Sequence, residues 1–502
     1  MDAIAERHKP GENPSPTGTF ADLLTERANE RTFLEDARDG RTITYRELPG
    51  AASAWSRRLD SLGAGPGAIV VVDLADPLSF AVAFLAIIAC GRCALPVDPR
   101  APVAELRRTL RAVHPIAAVT ARPELAAALG IPPLSLDDPT PPPDTYPVRY
   151  AGRGSVLLST SGSTGEPKQV LLSEHRLLHV ARAVAEHHRL TAADRGYNCL
   201  PLFHINAEVV ALLATSIAGG CLVLNRRFRA SGFWPLLAAR RITWLNAVPA
   251  MLAVLAAGPA PESVGALRFI RSASAPLPAA VRSGIAERTG LPIVESYGMT
   301  EAASQITATP LDGSAPPGSC GRPVRVELEI RDRDGMTLPP GSIGRVHIRG
   351  DGVIGGYLGG SARDCFDDAG WLDTGDLGRV DDAGYVYLTA RADDVINRGG
   401  ELLYPREIEE VLLPDPGVRE VVVIGRRDPV LGYVPVAFAI PSAPDGDGDA
   451  LAERLHQRCA RQLTPFKRPV EIRFVDEFPR SPTGKVRRHL LRDRADAVRG
   501  GT

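Results

Sequence analysis

The chain of 502 residues is too long for one ordinary hydrophobic core, which predicts several structural units. Hydrophobic residues make up 44% of the sequence and charged residues 23%, proportions that exclude a disordered chain and indicate a soluble globular protein. The formal net charge of −1 creates no field that would attract nucleic acid or an anionic membrane, so neither is expected as a partner.

Nothing near the start of the sequence resembles a signal peptide, because its first residues are charged and no apolar run follows. The longest apolar stretch, Ser79 to Cys90, is far shorter than the ~20 residues that cross a bilayer and predicts a buried helix. The seven cysteines are scattered, which fits a reducing cytoplasm without a disulfide framework. Cys90 and Cys93 form a CxxC without a second pair, so we interpret them as small apolar residues at a helix end and a strand start.

Short apolar runs alternate with helical patterns through the N-terminal part of the sequence. The predicted strands are Ala68–Asp73, Ser155–Ser159, Cys221–Leu224, Thr243–Ala247, Arg268–Ser272 and Ile293–Ser296. The predicted helices are Glu174–His188, after a possible N-cap at Ser173, and Ala279–Thr289. This alternation predicts parallel sheets flanked by helices, an α/β fold. The proline-rich segment Pro132 to Pro147 is expected to be a surface connection between subdomains.

The pattern changes from about Arg325. Strand patterns at Val326–Arg331, Ile343–Arg349 and Gly384–Leu388, separated by turns, predict an antiparallel meander or a small β-barrel. A new unit begins after Arg391. Its predicted elements are a helix at Pro405–Leu412, strands at Val418–Ile424 and Val434–Ile440, and a helix at Asp449–Leu463. This mixture predicts a smaller α+β domain at the C-terminus.

The segment from Ser159 to Lys168 holds five hydroxyl side chains, two glycines and one lysine between two strand patterns. Glycines let backbone N–H groups turn toward an anion, hydroxyl groups donate further hydrogen bonds, and lysine adds positive charge. The residues predicted to cradle a polyphosphate are Thr160, Ser161, Gly162, Ser163, Thr164, Gly165 and Lys168. The segment is not the GxxxxGK[ST] loop of kinases, because Pro167 precedes the lysine and no helix is predicted there. A flexible Ser/Gly linker is the alternative interpretation.

Further segments repeat a known order and spacing over nearly the whole chain. They are Tyr297–Glu301, Gly370–Asp376, Ala390–Asp394 with Asn397–Glu401 and Tyr404–Glu409, and Pro479–Lys485. Together with the Ser/Gly loop they resemble the motifs of the superfamily of acyl-CoA synthetases, peptide-synthetase adenylation domains and luciferases. The resemblance implies a large N-terminal domain over residues 1–391, made of two doubly wound α/β subdomains and a small β-barrel. It also implies a hinge at residues 392–393 and a mobile α+β domain over residues 394–502.

The resemblance assigns roles to residues of these motifs. Glu301 is expected to bind the Mg²⁺ that bridges the ATP phosphates, since a carboxylate suits a hard cation. Thr300 and Tyr297 are expected at the α-phosphate and the adenine face. Asp376, placed on a Thr-Gly-Asp turn, is expected to accept both ribose hydroxyls, with Arg391 as a second clamp. The predicted adenine loop comprises Ser274, Ala275 and Pro276, in a segment where relatives usually have a glycine.

Several roles depend on motion of the C-terminal domain. Lys485 lies in a turn-rich loop and is expected to enter the site for adenylation only, where it stabilises charge on the α-phosphate. Asp393 is the predicted hinge residue, and Gly399 and Gly400 are expected to line the coenzyme A tunnel after rotation. His204 matches a position that borders the acyl pocket in the superfamily, although a histidine of the core is the alternative.

The implied function is activation of a carboxylic acid by ATP and Mg²⁺ to an acyl-AMP, followed by transfer to coenzyme A. Other acceptors stay open, namely a carrier-protein thiol, an amine or another small nucleophile. A P-loop kinase or ATPase is disfavoured by the missing GK[ST], and a non-catalytic nucleotide-binding regulator by the joint presence of Glu301, Asp376, Arg391 and Lys485.

The predicted acyl pocket is lined by His204, Asn206, Ala207, Val210, Asn246 and the loop Ser272–Ala275. Uncharged walls do not offset the desolvation of a second carboxylate, so this lining predicts a monocarboxylic acid with a sizeable apolar or aromatic body. Against this, Trp244–Pro249 and Arg268–Pro276 are similar to segments of small-dicarboxylate (oxalate-type) ligases.

Overall fold

The structure, a computed structural model, describes residues 18–110, 113–134, 153–161, 167–360, 365–443, 447–480 and 486–497. Its α-helices are α1 (Phe20–Glu26), α2 (Glu47–Ser61), α3 (Pro77–Ala89), α4 (Val103–Leu110), α5 (Pro123–Leu129), α6 (Glu174–His187), α7 (Ala214–Ala218), α8 (Phe233–Ala239), α9 (Pro249–Ala257), α10 (Ala279–Thr289), α11 (Pro405–Leu412), α12 (Gly448–Gln462) and α13 (Arg488–Ala497). A π-helix covers Asn206–Leu213 and continues directly into α7.

The strands are β1 (Thr32–Asp36), β2 (Thr42–Thr44), β3 (Ile69–Asp73), β4 (Cys93–Pro96), β5 (Ala117–Thr120), β6 (Pro133–Leu134), β7 (Ser155–Ser161), β8 (Pro167–Ser173), β9 (Arg195–Asn198), β10 (Cys221–Leu224), β11 (Trp244–Ala247), β12 (Phe269–Ser272), β13 (Ile293–Tyr297), β14 (Thr307–Ala308), β15 (Arg322–Pro323), β16 (Glu327–Arg331), β17 (Gly344–Arg349), β18 (Leu372–Val380), β19 (Val386–Arg391), β20 (Ile396–Arg398), β21 (Glu401–Leu403), β22 (Val418–Asp428), β23 (Gly432–Pro441) and β24 (Glu471–Phe474).

Two sheets flanked by helices form the N-terminal part of the molecule. The larger has the order β15-β14-β13-β12-β11-β9-β10-β1-β2, and its six central strands are parallel. The smaller has the order β6-β5-β3-β4-β7-β8, with only the β7–β8 pair antiparallel. Helix α3 is apolar on nearly every side and packs against β1 of one sheet and β3 and β4 of the other. The predicted buried helix therefore joins the two sheets.

The remaining strands form two further sheets. Strands β16 to β19 make an antiparallel sheet in chain order, which is the part predicted as a meander or small barrel. In the C-terminal part, the order β21-β20-β23-β22 is extended by β24 beside β23, and α11, α12 and α13 pack on this sheet. The α/β fold with a large N-terminal and a smaller C-terminal domain is thus confirmed.

The sequence-based elements agree closely with the structure. Cys221–Leu224, Ala279–Thr289 and Pro405–Leu412 match residue for residue, and the other predicted strands start within two residues of the observed ones. Ser173 is the N-cap residue of α6, but its side chain makes no capping hydrogen bond. Most of the Pro132–Pro147 connection lies outside the described residues.

All seven cysteines lie in the described ranges and are free thiols. Cys90 caps the end of α3 and Cys93 begins β4, as predicted, and burial raises the pKa values of both thiols, to about 11 and about 12. Within the described ranges, no helix is both long and apolar enough to cross a membrane.

Candidate active site

Four parallel strands of the larger sheet end in polar side chains on one face. In the strand register, Asn246 at the end of β11 lies opposite Asn198 of β9 on one side and Arg271 of β12 on the other. Ser296, near the end of β13, extends the row beyond Arg271. Ligands of open α/β sheets bind at the carboxyl ends of their strands, so this row marks a candidate binding wall.

The wall is organised around the guanidinium group of Arg271, whose side chain is buried with 1% of the residue exposed. Its Nη1 donates to the amide oxygens of Asn246 at 3.2 Å and Asn206 at 3.4 Å. Its Nη2 donates to Ser296 Oγ at 3.0 Å and to Gln305 Oε1 at 3.5 Å. Every partner is neutral, and within the described ranges Arg271 makes no ion pair with a carboxylate.

Two donor groups of this wall have no partner among the described residues. They are the Nε of Arg271 and the Nε2 of Gln305, both fully shielded from solvent by protein atoms. A buried donor without an acceptor costs about 1–3 kcal/mol, more for a charged group, so such groups call for an explanation. Each is a donor to which a bound ligand could supply the missing acceptor.

The groups around Arg271 do not neutralise its charge. Burial, with the nearby positive charge of Arg271, lowers the pKa values of His187 and His188. Burial alone lowers the pKa of Arg271 to about 9, so the guanidinium stays protonated at neutral pH. Glu208, on the π-helix, makes no ion pair with it, and burial raises the pKa of that carboxyl well above its usual value, which favours the neutral acid.

This finding corrects one premise of the sequence analysis. The acyl pocket was predicted to be uncharged, but two of its predicted residues, Asn206 and Asn246, accept hydrogen bonds from a buried arginine. The prediction of a monocarboxylic acid loses its physical basis, because a cation on the wall offsets the desolvation of a second anionic group.

The other predicted pocket residues lie on the segment that faces this wall. Ala207 and Val210 belong to the π-helix and are fully buried, and His204 precedes that helix with its ring 4.4 Å from the ring of Phe203. Single π-helical turns are often found at functional sites, where they aim side chains out of the regular helical register. The Nδ2 of Asn246 donates to Asn206 Oδ1 at 3.0 Å, which couples this segment to β11.

The predicted adenine loop keeps a backbone shape that favours glycine. Ser274, at the position where the sequence departs from the usual glycine, has a φ of +74°, in the left-handed region. Its hydroxyl group accepts a hydrogen bond of 3.3 Å from Asn206 Nδ2. The serine therefore joins the adenine loop to the acyl wall, a contact that glycine would not provide.

The predicted metal ligand Glu301 lies in a short 3-10 turn, Thr300–Ala302, and is 7% exposed. A tight backbone approach sets this turn, since a Cβ on Gly298 would lie 1.4 Å from the carbonyl oxygen of Ser304. Among the described residues no group of three metal-binding side chains occurs. A single carboxylate nevertheless fits Mg²⁺, which proteins commonly hold through one or two carboxylates together with substrate phosphates and water.

The predicted ribose and adenine residues form one hydrogen-bonded group. Asp376 Oδ2 accepts from the Tyr297 hydroxyl at 2.5 Å, and Oδ1 accepts from Arg391 Nη1 at 3.1 Å. Burial and this carboxylate raise the pKa of Tyr297 well above its usual value. Asp376 lies within strand β18 rather than on a turn. Gly375, directly before it, has a φ of +73°, and a Cβ at that position would lie 3.0 Å from Arg391 Nη2.

The phosphate loop is only partly described. Thr160 and Ser161 end β7 and Lys168 lies near the start of β8, whereas Gly162, Ser163, Thr164 and Gly165 lie outside the described residues. The loop thus connects two antiparallel strands and not a strand to a helix, which agrees with the exclusion of a P-loop.

Three of the residues assigned to domain motion lie within residues 393–400, shortly after the ribose residue Arg391. Asp393 is in a 3-10 turn, Ala392–Asp394, and its carbonyl oxygen accepts from Arg492 of α13 at 3.1 Å. Gly399 and Gly400 form the tight turn between β20 and β21 with φ of +61° and +98°. Lys485 lies outside the described residues.

Sequence reasoning missed Arg271 and Gln305 as site residues. A usable signal existed, because Asn198, Asn246 and Arg271 are polar residues at or near the ends of otherwise apolar strand patterns. What the sequence did not show is that these strands are neighbours.

The fold and this site define an adenylating enzyme, and the similarity to known proteins agrees. The AMP-binding enzyme family matches residues 23–358, and the AMP-binding enzyme C-terminal domain matches residues 407–485. A sulfoacetate–CoA ligase from Cupriavidus necator is 36% identical over 96% of this chain and 99% of its own length. An oxalate–CoA ligase from Arabidopsis thaliana is 31% identical over 87% of this chain and 90% of its own length.

Solved structures give the same assignment. The o-succinylbenzoate coenzyme A synthetase from Bacillus subtilis, in complex with ATP and a magnesium ion, superposes with a TM-score of 0.82 at 28% identity, covering 94% of this chain and 98% of its own. The chain belongs to the AMP-binding enzyme family. The predicted AMP-forming acid–thiol ligase class, with ATP, Mg²⁺ and coenzyme A, is confirmed.

Proposed function

We propose that this enzyme joins coenzyme A to a small carboxylic acid that carries a second anionic group. The observation that supports the second charge is the buried guanidinium of Arg271, which has only neutral partners among the described residues. A buried cation without a counter-ion is strongly destabilising unless a ligand supplies the charge. The acid would place its distal carboxylate or sulfonate on Arg271 and its reacting carboxylate toward the ATP α-phosphate.

The named relatives are consistent with this acid. Sulfoacetate and oxalate, the acids in the names of two of them, each carry a second negative charge close to the reacting carboxylate. The polar wall also places one neutral donor without a described partner beside the cation, the Nε2 of Gln305, while Asn246 and Ser296 hold the guanidinium in place. Such groups add orientation to charge pairing, which specificity for a small ligand requires.

In the proposed first step, the acid carboxylate attacks the α-phosphate of ATP and pyrophosphate leaves. Lys168 and the Thr160–Gly165 loop would hold the departing phosphates, and Asp376 with Arg391 would hold the ribose. Glu301 would hold Mg²⁺, which neutralises phosphate charge when bound. Lys485 would stabilise the charge that develops on the α-phosphate, in a step that depends mostly on positioning and electrostatics.

In the proposed second step, the domain from residue 394 onward rotates about Asp393 and withdraws Lys485. The turn at Gly399 and Gly400 would then line the path of the coenzyme A thiol. The thiolate attacks the carbonyl carbon of the acyl-AMP, and AMP leaves. Asp394, the first residue of that domain, is paired with Arg492 and lies 3.6 Å from Arg488, contacts that attach the end of the hinge to helix α13 so that the two would move together.

Replacement of Asp393 by proline should separate the two steps. Proline fixes φ near −65°, so the hinge loses the dihedral freedom that rotation requires. Adenylation should be retained, while thioester formation from supplied acyl-AMP should fall by at least about tenfold. Single-turnover assays of each half-reaction measure this, and wild-type rates in both would show that Asp393 is not the hinge.

The function is tested by pyrophosphate release from acids that differ in size and in second charge, with and without coenzyme A. Short acids with a terminal carboxylate or sulfonate should react best, with coenzyme A consumed in a one-to-one ratio. Pyrophosphate release without coenzyme A consumption would mean that the acyl acceptor is a carrier protein, an amine or another nucleophile. We further propose a cytoplasmic location, which the free thiols of the described ranges support.

A further inference from the structure

Tyr357 connects two residues that the proposed mechanism assigns to the triphosphate and its metal. It follows Gly355 and Gly356 in the segment after β17, and no motif considered in the sequence analysis includes it. The tyrosine is buried, with 9% of the residue exposed, and its hydroxyl group donates a hydrogen bond of 2.9 Å to Glu301 Oε1. A hydrogen bond to an ionised carboxylate is among the stronger ones that proteins make.

The ring of the same tyrosine contacts the phosphate lysine. The ammonium nitrogen of Lys168 lies 4.9 Å from the ring centroid, within the range of a cation–π interaction. The opposite charges of Lys168 and Glu301 therefore contact different parts of one rigid side chain. Phe366 packs edge-on against the ring at 6.0 Å between centroids and restricts its rotation.

The backbone near Tyr357 holds the main chain of Glu301 as well. Ile354 N donates to the carbonyl oxygen of Glu301 at 2.9 Å, and Arg176 Nε donates to the carbonyl oxygen of Val353 at 2.9 Å. Segment 353–357 thus fixes both the backbone and the carboxylate of Glu301. This support matters because the turn after Glu301 is strained, with Ala303 and Ser304 at φ of +46° and +96°.

We infer that Tyr357 is a positioning residue that fixes the Glu301 carboxylate for the metal and the Lys168 ammonium for the phosphates. The inference rests on the proposed binding of Mg²⁺ and ATP at these two residues. Groups that hydrogen-bond to a metal-binding carboxylate set its orientation, and losing them typically lowers metal affinity about 10- to 100-fold. The hydroxyl group and the ring serve separate partners, so substitutions that remove one or both should have different effects.

The test measures binding of Mn²⁺, as a paramagnetic substitute for Mg²⁺, by electron paramagnetic resonance on the full chain with a non-hydrolysable ATP analogue. Tyr357→Phe removes the hydroxyl group and keeps the ring, so the Kd for Mn²⁺ should rise about 10- to 100-fold. The Kd of the analogue without metal should stay close to that of the wild type. Tyr357→Leu removes the ring as well, and should also raise the metal-free Kd of the analogue severalfold.

Tyr387→Phe is the matched control. Tyr387 donates a hydrogen bond of 3.0 Å to Asp381, and its ring lies 3.8 Å from the guanidinium of Arg379. It therefore makes the same two kinds of contact as Tyr357, a hydrogen bond to a carboxylate and a cation–π contact, with residues other than Glu301 and Lys168. This control should change the Kd for Mn²⁺ by no more than about twofold. An equal effect of both Phe variants, or no effect of Tyr357→Phe, would overturn the inference.

Glu301→Gln separates this inference from the proposed function. It should weaken Mn²⁺ binding at least as much as Tyr357→Phe does. If Glu301→Gln weakens binding and Tyr357→Phe does not, the role of Tyr357 is wrong and the metal site stands. If neither variant weakens binding, the metal assignment of Glu301 is wrong, and the inference is overturned with it.

Discussion

Replacement of Arg271 by methionine should lower kcat/KM for the dianionic acid about 1,000-fold, while the protein becomes no less stable. Removing one partner of a buried charge pair costs about 2–5 kcal/mol in binding, which corresponds to such a loss. Methionine has a similar length and no charge, so it removes an uncompensated buried cation from the free enzyme. Replacement of whole buried ion pairs by apolar residues has stabilised proteins by about 1–4 kcal/mol, and here we expect the removal of a cation without a counter-ion to offset the loss of its hydrogen bonds to four neutral acceptors. Pyrophosphate-release kinetics and thermal unfolding measure the two effects.

Arg268→Met is the control for this experiment. Arg268 directly precedes the same strand β12 but is partly exposed, and its Nη2 lies 2.8 Å from the carboxylate of Asp194. Its replacement should lower stability slightly and leave kcat/KM unchanged, the opposite pattern. If Arg271→Met destabilises the fold and reduces the activity toward charged and uncharged acids equally, Arg271 has a structural role and does not bind the acid.

Replacement of Lys485 by alanine should abolish acyl-adenylate formation, with a loss of at least about 1,000-fold, and leave thioester formation nearly intact. The lysine is expected beside the α-phosphate only while the acid attacks, where a positioned charge contributes several kcal/mol to transition-state stabilisation. Acyl-AMP supplied to the variant should therefore react with coenzyme A at close to the wild-type rate. Stopped-flow or quench assays of each half-reaction give both numbers.

Lys467→Ala serves as the control for Lys485. Lys467 belongs to the same C-terminal part and forms an ion pair of 2.5 Å with Glu407. Neither residue of this pair is assigned to ATP, the metal or the acid. Both half-reactions should survive its loss. Equal damage to the two half-reactions in Lys485→Ala would contradict a role confined to adenylation.

Most of the fold could be predicted because local sequence signals and tertiary packing agree. Apolar runs of β-branched residues, such as Ile69–Asp73, became buried parallel strands, and helices such as Pro405–Leu412 begin at a proline that suits a first turn. The hinge and nucleotide motifs could be found because each is contiguous in sequence. Asp376 was placed on a turn since Thr-Gly-Asp is typical of one, but pairing with β19 extends a strand through it.

The acid-binding wall could not be predicted in the same way, because its residues come from separate segments. Asn206, Asn246, Arg271 and Gln305 meet only through the order of the parallel strands and the position of the π-helix. Nothing in the predicted strand Arg268–Ser272, which contains two arginines, indicated that the side chain of Arg271 is buried. The similarity to oxalate-type ligases indicated that the acid carries a second charge, whereas the uncharged residues of the predicted pocket indicated that it does not.

Binding of a second anionic group of the acid by Arg271 can be measured as a ratio of two specificity constants. This ratio compares kcat/KM for a short dianionic acid with kcat/KM for its monoamide, which has the same length and a neutral end. A site that binds a charged group through buried donors rejects the uncharged analogue strongly. If Arg271 binds the second charge, we expect a ratio of at least about 100 in favour of the dianion. A ratio near one, or a preference for the monoamide, would contradict it.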